Sequence, residues 1–478
     1  MMALFELFWR RLGKFAPFVL IVIGCGLIGL VLLKVDPLFI IAGLLAVFVA
    51  GAVLSKPFYG VLLYLFLLYV RPGDLLPQLE PLRLTLLGVA LLTAAFLLQV
   101  LVYRVVKPIV TTPMIFMGLV LLAILVSMPG SFYKSLTMTR FTDTLRVVFM
   151  TYLIVHMVES ATRLRAFMTT LILIFIVLST ALVIRFFAMP DTRVDNGGSG
   201  GIIGGFLGDG NDFALAQNVI LPWTIMFISL ARSRIWRMIL LYGVLVGIVA
   251  VAVTYSRGGL LGMIALILAL YVVWVLRSRN YVLGVSLAIV AVFLVIIGVL
   301  AFAPDEFVDR ITSIKDYDED ESALGRLDAW GAGVRMFADH PFFGVGAGAF
   351  SVAYGIQYKP PTAIAANWRE AHSVYFQVLG EMGMAGIFTV FGLAVVLFLS
   401  MRRLRFIHLD ERRDDELFHA SRAAVIGSLV GWAVSGAFLS VAYYPHLYVL
   451  VMVTTCLERM ARYSRLELPI LEEEVEEI

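Results

Sequence analysis

The sequence predicts an all-α fold: a polytopic helical integral membrane protein with about 12–14 transmembrane helices and one long outer loop that itself contains helices. Of the 478 residues, 61% are hydrophobic and only 15% are charged. A soluble chain carries about a quarter charged residues, so the deficit indicates a lipid bilayer as partner rather than a large soluble core. The formal net charge of +3 is too small to suggest nucleic acid.

The predicted spans are about fourteen apolar runs near the length that crosses a bilayer. Three of the runs are short for a span, which is why we expect about 12–14 spans rather than fourteen. They are Phe58–Val70, Val147–Val158 and His446–Cys456. In chain order, the runs are Ala16–Leu33, Leu38–Leu54, Phe58–Val70, Leu84–Tyr103, Met114–Met128, Val147–Val158, Ala166–Met189, Phe213–Leu230, Met238–Tyr255, Leu260–Val275, Val282–Phe302, Met384–Met401, Ala423–Val441 and His446–Cys456.

The first run is expected to stay in the protein as a membrane span. Arg10, Arg11 and Lys14 precede Ala16–Leu33, as in a secretion signal. That run is longer than the apolar core of a typical signal, and no small-x-small cleavage site follows it.

The distribution of lysine and arginine predicts the orientation. With the N-terminus in the cytoplasm, the short basic loops Ala231–Arg237 and Arg277–Asn280 also lie there, as membrane proteins prefer. Both termini are then cytoplasmic, and the polar sequence gathers on the outer face. The expected regions are N-terminal spans at 1–83, a transmembrane core at 84–302 with a glycine-rich outer loop at 190–212 and an arginine turn at 254–259, a loop subdomain at 303–371, C-terminal spans at 372–458 and an acidic cytoplasmic tail at 459–478.

The arginine turn "TYSRGG" is a candidate site because its guanidinium must lie near the membrane boundary. Arg257 either anchors the hairpin, as most arginines at span ends do, or binds a charged ligand. Gly258 and Gly259 leave the backbone bare for such a ligand. The turn by itself leaves both interpretations open.

The long loop offers two further arginines. Arg326 and Arg335 are nine residues apart, which is about 180° around a straight helix, so they cannot both point into one pocket. Arg326 is the preferred candidate and Arg335 the reserve. The carboxylate run Asp316–Glu321 lacks histidine and helical spacing, which favours a solvated segment over a metal site.

The stretch "EAHSVYFQVLGEMGMAG" places a histidine at the mouth of an apolar span. On a single helix over Ala371–Met401, Gly383 and Gly386 would lie within about 40° of His372 and below it, while Glu381 would lie on the opposite face. The glycines either allow close helix packing or form a groove for a lipid chain under the imidazole. The helix geometry favours neither alternative over the other.

These residues together resemble bacterial O-antigen ligases, a family grouped with O-antigen polymerases and protein O-oligosaccharyltransferases. His372-Ser373, nine residues and then Gly383-Met384-Ala385-Gly386 match the signature His-[Asn/Ser/Gln]-x9-Gly-x-x-Gly. "YSRGG", "GRLDAW…HPFFGVGAGAF" and "GDGNDFALAQNVILPW" are also similar, in order and spacing. The resemblance is strong over about Asn211–Leu399 and absent from the first two spans, which it marks as an N-terminal addition.

The resemblance implies a membrane glycosyltransferase that moves a glycan from undecaprenyl pyrophosphate to an acceptor hydroxyl on the periplasmic side of the bacterial inner membrane. The acceptor would be a glycan, lipid A core or a protein, and neither a cofactor nor a metal is expected. By position, His372 would be catalytic and Arg257 and Arg326 would bind the pyrophosphate. The supporting candidates are Arg335, Ser373, Gly383, Gly386 and Asn211.

The residue chemistry agrees with that reaction. Arginine is always charged and offers a planar fork to phosphate oxygens, and a neutral imidazole can accept the proton of an attacking hydroxyl. Attack opposite the leaving pyrophosphate would invert the anomeric centre. The alternatives are a polymerase of the same superfamily and, from another class, a multi-span transporter or lipid flippase.

Overall fold

A computed structural model describes residues 37–102, 109–188, 207–278, 321–360 and 368–476. These residues form helices and their connections, with no strand among them, so the predicted all-α class is confirmed. The predicted spans Ala16–Leu33 and Val282–Phe302 lie outside the described residues, as do most of the glycine-rich loop and of the carboxylate run.

The main helices follow the predicted spans, with displaced ends. They are α1 (Pro37–Ser55), α2 (Pro57–Tyr69), α3 (Leu84–Leu97), α4 (Thr112–Ser127), α5 (Lys134–Met157), α6 (Ala161–Ala188), α7 (Gly210–Leu230), α8 (Arg234–Val253), α9 (Arg257–Ser278), α10 (Glu321–Asp339), α11 (Val374–Gly386), α12 (Gly392–Arg403), α13 (Arg412–Gly436) and α14 (His446–Glu476).

Short helical segments connect or extend these helices. They are the α-helical turns Pro72–Leu75 and Phe350–Ala353, the 3₁₀ turns Pro77–Leu82 and Leu404–Phe406, and the π-helical turns Leu98–Val102, Tyr354–Tyr358 and Ile387–Phe391. The last of these joins α11 to α12, so that a nearly continuous helical segment, kinked at Gly383, runs from Val374 to Phe406.

Within the described ranges, seven helices are long and apolar enough to cross a membrane, and two more are apolar but shorter. Together they support a multi-pass membrane protein. The predicted short span Val147–Val158 is the second half of α5. The helix begins earlier, at Lys134, and its first half is a polar stretch that contains threonine and arginine. The predicted span His446–Cys456 likewise continues as α14, through the predicted tail boundary at 458/459.

Helix α7 lies at the centre of the bundle, against α8, α9 and α13. Two buried polar side chains fix α13 against it. The indole of Trp223 donates to Ser428 Oγ (3.1 Å). The amide of Asn218 donates to the carbonyl of Gly259 (2.7 Å) and to Ser435 Oγ (3.0 Å). Since Gly259 lies in the first turn of α9, the arginine turn is held at a fixed position beside the end of α13.

The bundle has two chemically different ends. We call the end at which α7, α9 and α11 begin and α13 ends the site end. The opposite end, where α6, α8 and α13 begin, is the basic end. There, Arg165 lies close enough to Arg232 and Arg413 for their charges to interact, with carboxylates among them. Basic residues therefore concentrate opposite the site end.

The single straight helix expected over Ala371–Met401 is wrong. Helix α11 begins only at Val374, and the backbone of His372 is left-handed (φ 45°). At Gly383 the backbone is non-helical (φ 56°, ψ −144°), in a region that essentially only glycine enters. The freed amides of Met384 and Ala385 donate to the carbonyls of Pro341 (2.8 Å) and Phe342 (3.1 Å).

Of the two alternatives for the glycines, the structure supports close packing rather than a lipid groove beneath the histidine. A Cβ at Gly383 would lie 2.5 Å from the carbonyl oxygen of Pro341, and one at Gly386 would meet Met382 and Val378 of the same helix. The two glycines therefore serve close backbone approach within the protein. The angular argument failed because it assumed ideal helix geometry across both His372 and Gly383.

We predict that Gly383→Ala destabilises the protein strongly. An L-residue held in this sparsely populated backbone region costs about 1–3 kcal/mol, and the added methyl group also collides with the carbonyl of Pro341. Gly118→Ala is the matched control, because Gly118 is helical and a Cβ there meets nothing within 4 Å. Melting temperatures of the two detergent-purified variants test this; equal melting temperatures would contradict it.

Candidate active site

A polar cavity of about 290 Å³ opens at the site end of the bundle. Its wall combines the starts of α7 and α11, the polar first half of α5 and the connection between α13 and α14. The lining residues are Arg140, Asp209, Asn211, Asp212, Glu370, His372, Gln377, Leu439, Ser440, Tyr443 and Tyr444.

His372 lies in this wall just before α11, and neighbouring residues hold it on both sides. Its backbone amide donates to Ser440 Oγ (2.9 Å). The carbonyl of Ala371 accepts from the indole of Trp330 (3.1 Å), and the Trp330 ring stacks on Phe376 with centroids 5.2 Å apart. Because Trp330 belongs to α10, the loop helix is anchored directly beside the histidine.

The surroundings of His372 favour the neutral form of its imidazole. Burial among these elements lowers the pKa of His372, and the positive charges of Arg326 and Arg369 lower it further, while Asp209 acts in the opposite direction. The guanidinium of Arg369 lies against Gly325, the residue before Arg326. Two neighbouring arginines at the start of α10 therefore act on the charge of the ring.

The connection between α13 and α14, residues 437–445, forms part of the cavity wall. Besides the bond from His372 to Ser440, the amide of Ala442 donates to Gln377 Oε1 (3.2 Å). The hydroxyl of Tyr444 donates to Asp212 Oδ2 (2.9 Å). These contacts join the connection to both α11 and α7, so the cavity wall is built from distant parts of the chain.

Behind the cavity, the buried carboxylate of Glu381 accepts hydrogen bonds from three donors. It accepts from the amides of Gly348 (2.9 Å) and Phe350 (3.4 Å) and from the hydroxyl of Tyr443. The backbone carbonyl of Glu381 also accepts from the amide of Gly346 (3.0 Å). One residue of α11 thus fixes both the glycine-rich "GVGAGAF" turn and the α13–α14 connection.

Arg140 is a cavity residue that the sequence analysis missed. Its guanidinium lies 5.8 Å from the ring centroid of Tyr443, and its side chain packs against Gly348. Burial raises the pKa of Glu370, also in the wall, while Arg140 and a hydrogen bond with Ser351 lower it. Helical continuity of the stretch Lys134–Arg146 with the following span was the signal that could have placed Arg140 at the site end.

The structure brings some of the predicted site residues together and separates others. Asn211 lines the cavity beside His372, whereas Ser373 is buried and its carbonyl accepts from the amide of Gln377 (2.9 Å). Arg326 acts electrostatically on His372. Arg335 instead donates to the carbonyl of Tyr358 (2.7 Å), within the loop.

Arg257 begins α9 and lies outside the residues that line the cavity. Its turn nevertheless contacts the α13–α14 connection. A Cβ at Gly258 would lie 2.8 Å from that of Phe438, the residue before two lining residues. The arginine turn is therefore adjacent to the cavity wall, one layer away from His372.

The fold and the cavity define a multi-pass α-helical membrane protein with a polar, histidine-containing site at one end of its bundle. Residues 241–391 match the family model described as O-antigen ligase, which confirms the predicted relationship to the O-antigen ligase superfamily. This segment contains His372, Arg257 and Arg326 but neither Arg140 nor the α13–α14 connection. No curated protein matches the chain.

We predict that Glu381→Leu destabilises the fold by about 1–3 kcal/mol for each buried donor left unsatisfied. Glu381→Gln should be milder, because its amide oxygen can still accept from Gly348 and Tyr443. Glu80→Leu, at an exposed position, is the matched control for loss of a carboxylate. Melting temperatures in detergent decide the order; a Glu381→Leu protein as stable as the control would refute the anchoring role.

Proposed function

We propose that this protein transfers a glycan from undecaprenyl pyrophosphate to an acceptor hydroxyl, as an O-antigen ligase-like glycosyltransferase on the periplasmic side of the bacterial inner membrane. The superfamily is that of O-antigen ligase- and polymerase-type membrane glycosyltransferases. The observation that carries the proposal is the imidazole of His372 in a polar cavity, flanked by two arginines that favour its neutral form.

His372 is the proposed general base. A sugar hydroxyl becomes a competent nucleophile as its proton leaves, and a neutral imidazole within reach accepts that proton. General-base assistance of this kind is typically worth about 10²–10⁴ in rate. The hydroxyl oxygen then bonds to the anomeric carbon as the bond from that carbon to the pyrophosphate oxygen breaks, with inversion. Undecaprenyl pyrophosphate leaves.

We assign binding of the pyrophosphate to the arginines in and around the cavity wall. Negative charge develops on the leaving group, and fixed guanidinium groups stabilise it without reorganising, so no metal is required. Arg326 flanks His372, Arg257 stands in the adjacent turn, and Arg140 adds a cation from α5. A cavity near the lower end of small-molecule sites, ~300 Å³, would take the reacting groups and not the whole polymer.

The charge distribution supports a periplasmic site. Lysine and arginine favour the cytoplasmic ends of membrane proteins, and Arg165, Arg232 and Arg413 gather at the basic end, opposite the cavity. The site end would then face the periplasm, with the acceptor reaching it from outside. The acceptor would be a lipid A core in a ligase and a growing glycan in a polymerase; a protein acceptor is the third alternative.

We predict that His372→Ala abolishes glycan transfer while the protein still enters the membrane. His340→Ala is the matched control, because His340 follows α10 and packs on Phe132 away from the cavity. The assay is reconstitution in lipid vesicles with lipid-linked glycan and candidate acceptors, read out as a new glycosidic product. Full activity of His372→Ala would remove the proposed base, and movement of the lipid without a new bond would indicate a transporter.

We also predict an acid limb below pH 6.5 in the rate of transfer. The base must be neutral, and the pKa of His372 is lowered from its ordinary value of 6.5, so activity should persist to lower pH than for a free imidazole. Arg369→Gln removes a cation that lowers this pKa and should move the limb toward higher pH. Initial rates from pH 5 to 8 test both statements; a limb unmoved in Arg369→Gln would contradict the assignment.

A further inference from the structure

Three side chains meet at the basic end, far from the cavity. They are His408, in the connection between α12 and α13, and Asp415 and His419, one turn apart on α13. His408 Nδ1 lies 3.4 Å from His419 Nε2 and 3.5 Å from Asp415 Oδ1. His419 Nε2 lies 3.4 Å from the same Oδ1. The three atoms form a nearly equilateral triangle.

These separations are too long for strong hydrogen bonds. Hydrogen bonds to a nitrogen or oxygen acceptor cluster near about 2.9 Å, and charge-assisted ones are shorter still. The distances instead equal the edges of a coordination tetrahedron, because a centre about 2.1 Å from each corner gives edges of about 3.4 Å, and 2.0–2.1 Å is the ordinary Zn–N and Zn–O bond length.

An octahedral ion fits the triangle less well. With bonds of about 2.1 Å, adjacent octahedral donors lie about 3.0 Å apart, closer than any pair here. Bonds near 2.4 Å would match the edges, but that is the range of Ca²⁺, which takes oxygen ligands rather than imidazole. Two imidazoles and one carboxylate are the donor set that zinc accepts.

The surroundings of these three side chains resemble those of metal-binding residues. The amide of Leu409 donates to Asp415 Oδ1 (3.0 Å), which orients the carboxylate from outside the triangle. His419 is 5% exposed and Asp415 22%, so both are held within the protein. His408 is 76% exposed, which leaves a route for an ion and room for a fourth ligand.

We propose that His408, Asp415 and His419 bind a tetrahedral divalent metal ion, Zn²⁺, with the fourth position left to water or an external ligand. The ion joins the α12–α13 connection to the first two turns of α13 and clamps the basic end of the bundle. This metal site lies at the opposite end of the bundle from the proposed glycan transfer. A test of metal binding therefore does not depend on that activity.

The test uses the full-length protein purified through a tag without histidine, stripped with a chelator and dialysed. Zn²⁺ is titrated against a chromophoric chelator, and bound metal is counted by mass spectrometry. We expect one Zn²⁺ per chain, and at least a ~10-fold loss of affinity in His408→Ala and Asp415→Asn. His408 is exposed, so its replacement leaves the fold intact. Asp414→Asn removes the same charge one residue away and should bind as the wild type does.

Two further measurements report on geometry and on the clamp. Bound Co²⁺ should give the intense visible absorption of a tetrahedral site, absent in His408→Ala. Zn²⁺ should raise the melting temperature of the wild type and not that of His408→Ala. Substoichiometric Zn²⁺ in the wild type, equal affinity in His408→Ala, or a six-coordinate Co²⁺ spectrum would each overturn the proposal.

Discussion

The buried carboxylate of Glu381 is the contact on which the site end depends most. A carboxylate inside a helical bundle is costly unless its oxygens are satisfied, and here amides of the glycine-rich turn and the hydroxyl of Tyr443 satisfy them. That requirement forces α11, the long loop and the α13–α14 connection to meet at one point. The wall around His372 is therefore a consequence of hydrogen-bond satisfaction behind it.

Much of the fold was readable from the sequence, because apolar run length is a direct signal of a spanning helix. The predicted runs Phe213–Leu230 and Leu260–Val275 reappear, extended by a few residues, as α7 and α9. The arginine turn, the histidine and Asn211 were singled out by residue type and position, and they lie in or beside one cavity wall. Arg326 and Arg335 were expected on opposite sides of a helix, and their environments differ accordingly. The charge of Arg326 acts on His372, whereas Arg335 donates to the carbonyl of Tyr358.

Other features of the site depend on tertiary contacts that no local pattern encodes. The break at Gly383 exists because the carbonyls of Pro341 and Phe342 take up the freed amides, and those residues belong to a different segment. Arg140 reaches the cavity because α5 begins at Lys134, well before the apolar run from Val147 that predicted it. Likewise, His408, Asp415 and His419 come together only when the connection before α13 folds back on its first turns.

The α13–α14 connection carries a consequence for how this chain can vary. Surface connections usually accept added or deleted residues, because their backbone has few fixed partners. Residues 442, 443 and 444 each have a partner on α7 or α11, and residue 440 has one in His372, just before α11. One inserted residue would put every later side chain out of register with its partner. Length in this segment is therefore constrained as tightly as in a core helix, and natural or engineered diversity should enter by substitution rather than by insertion.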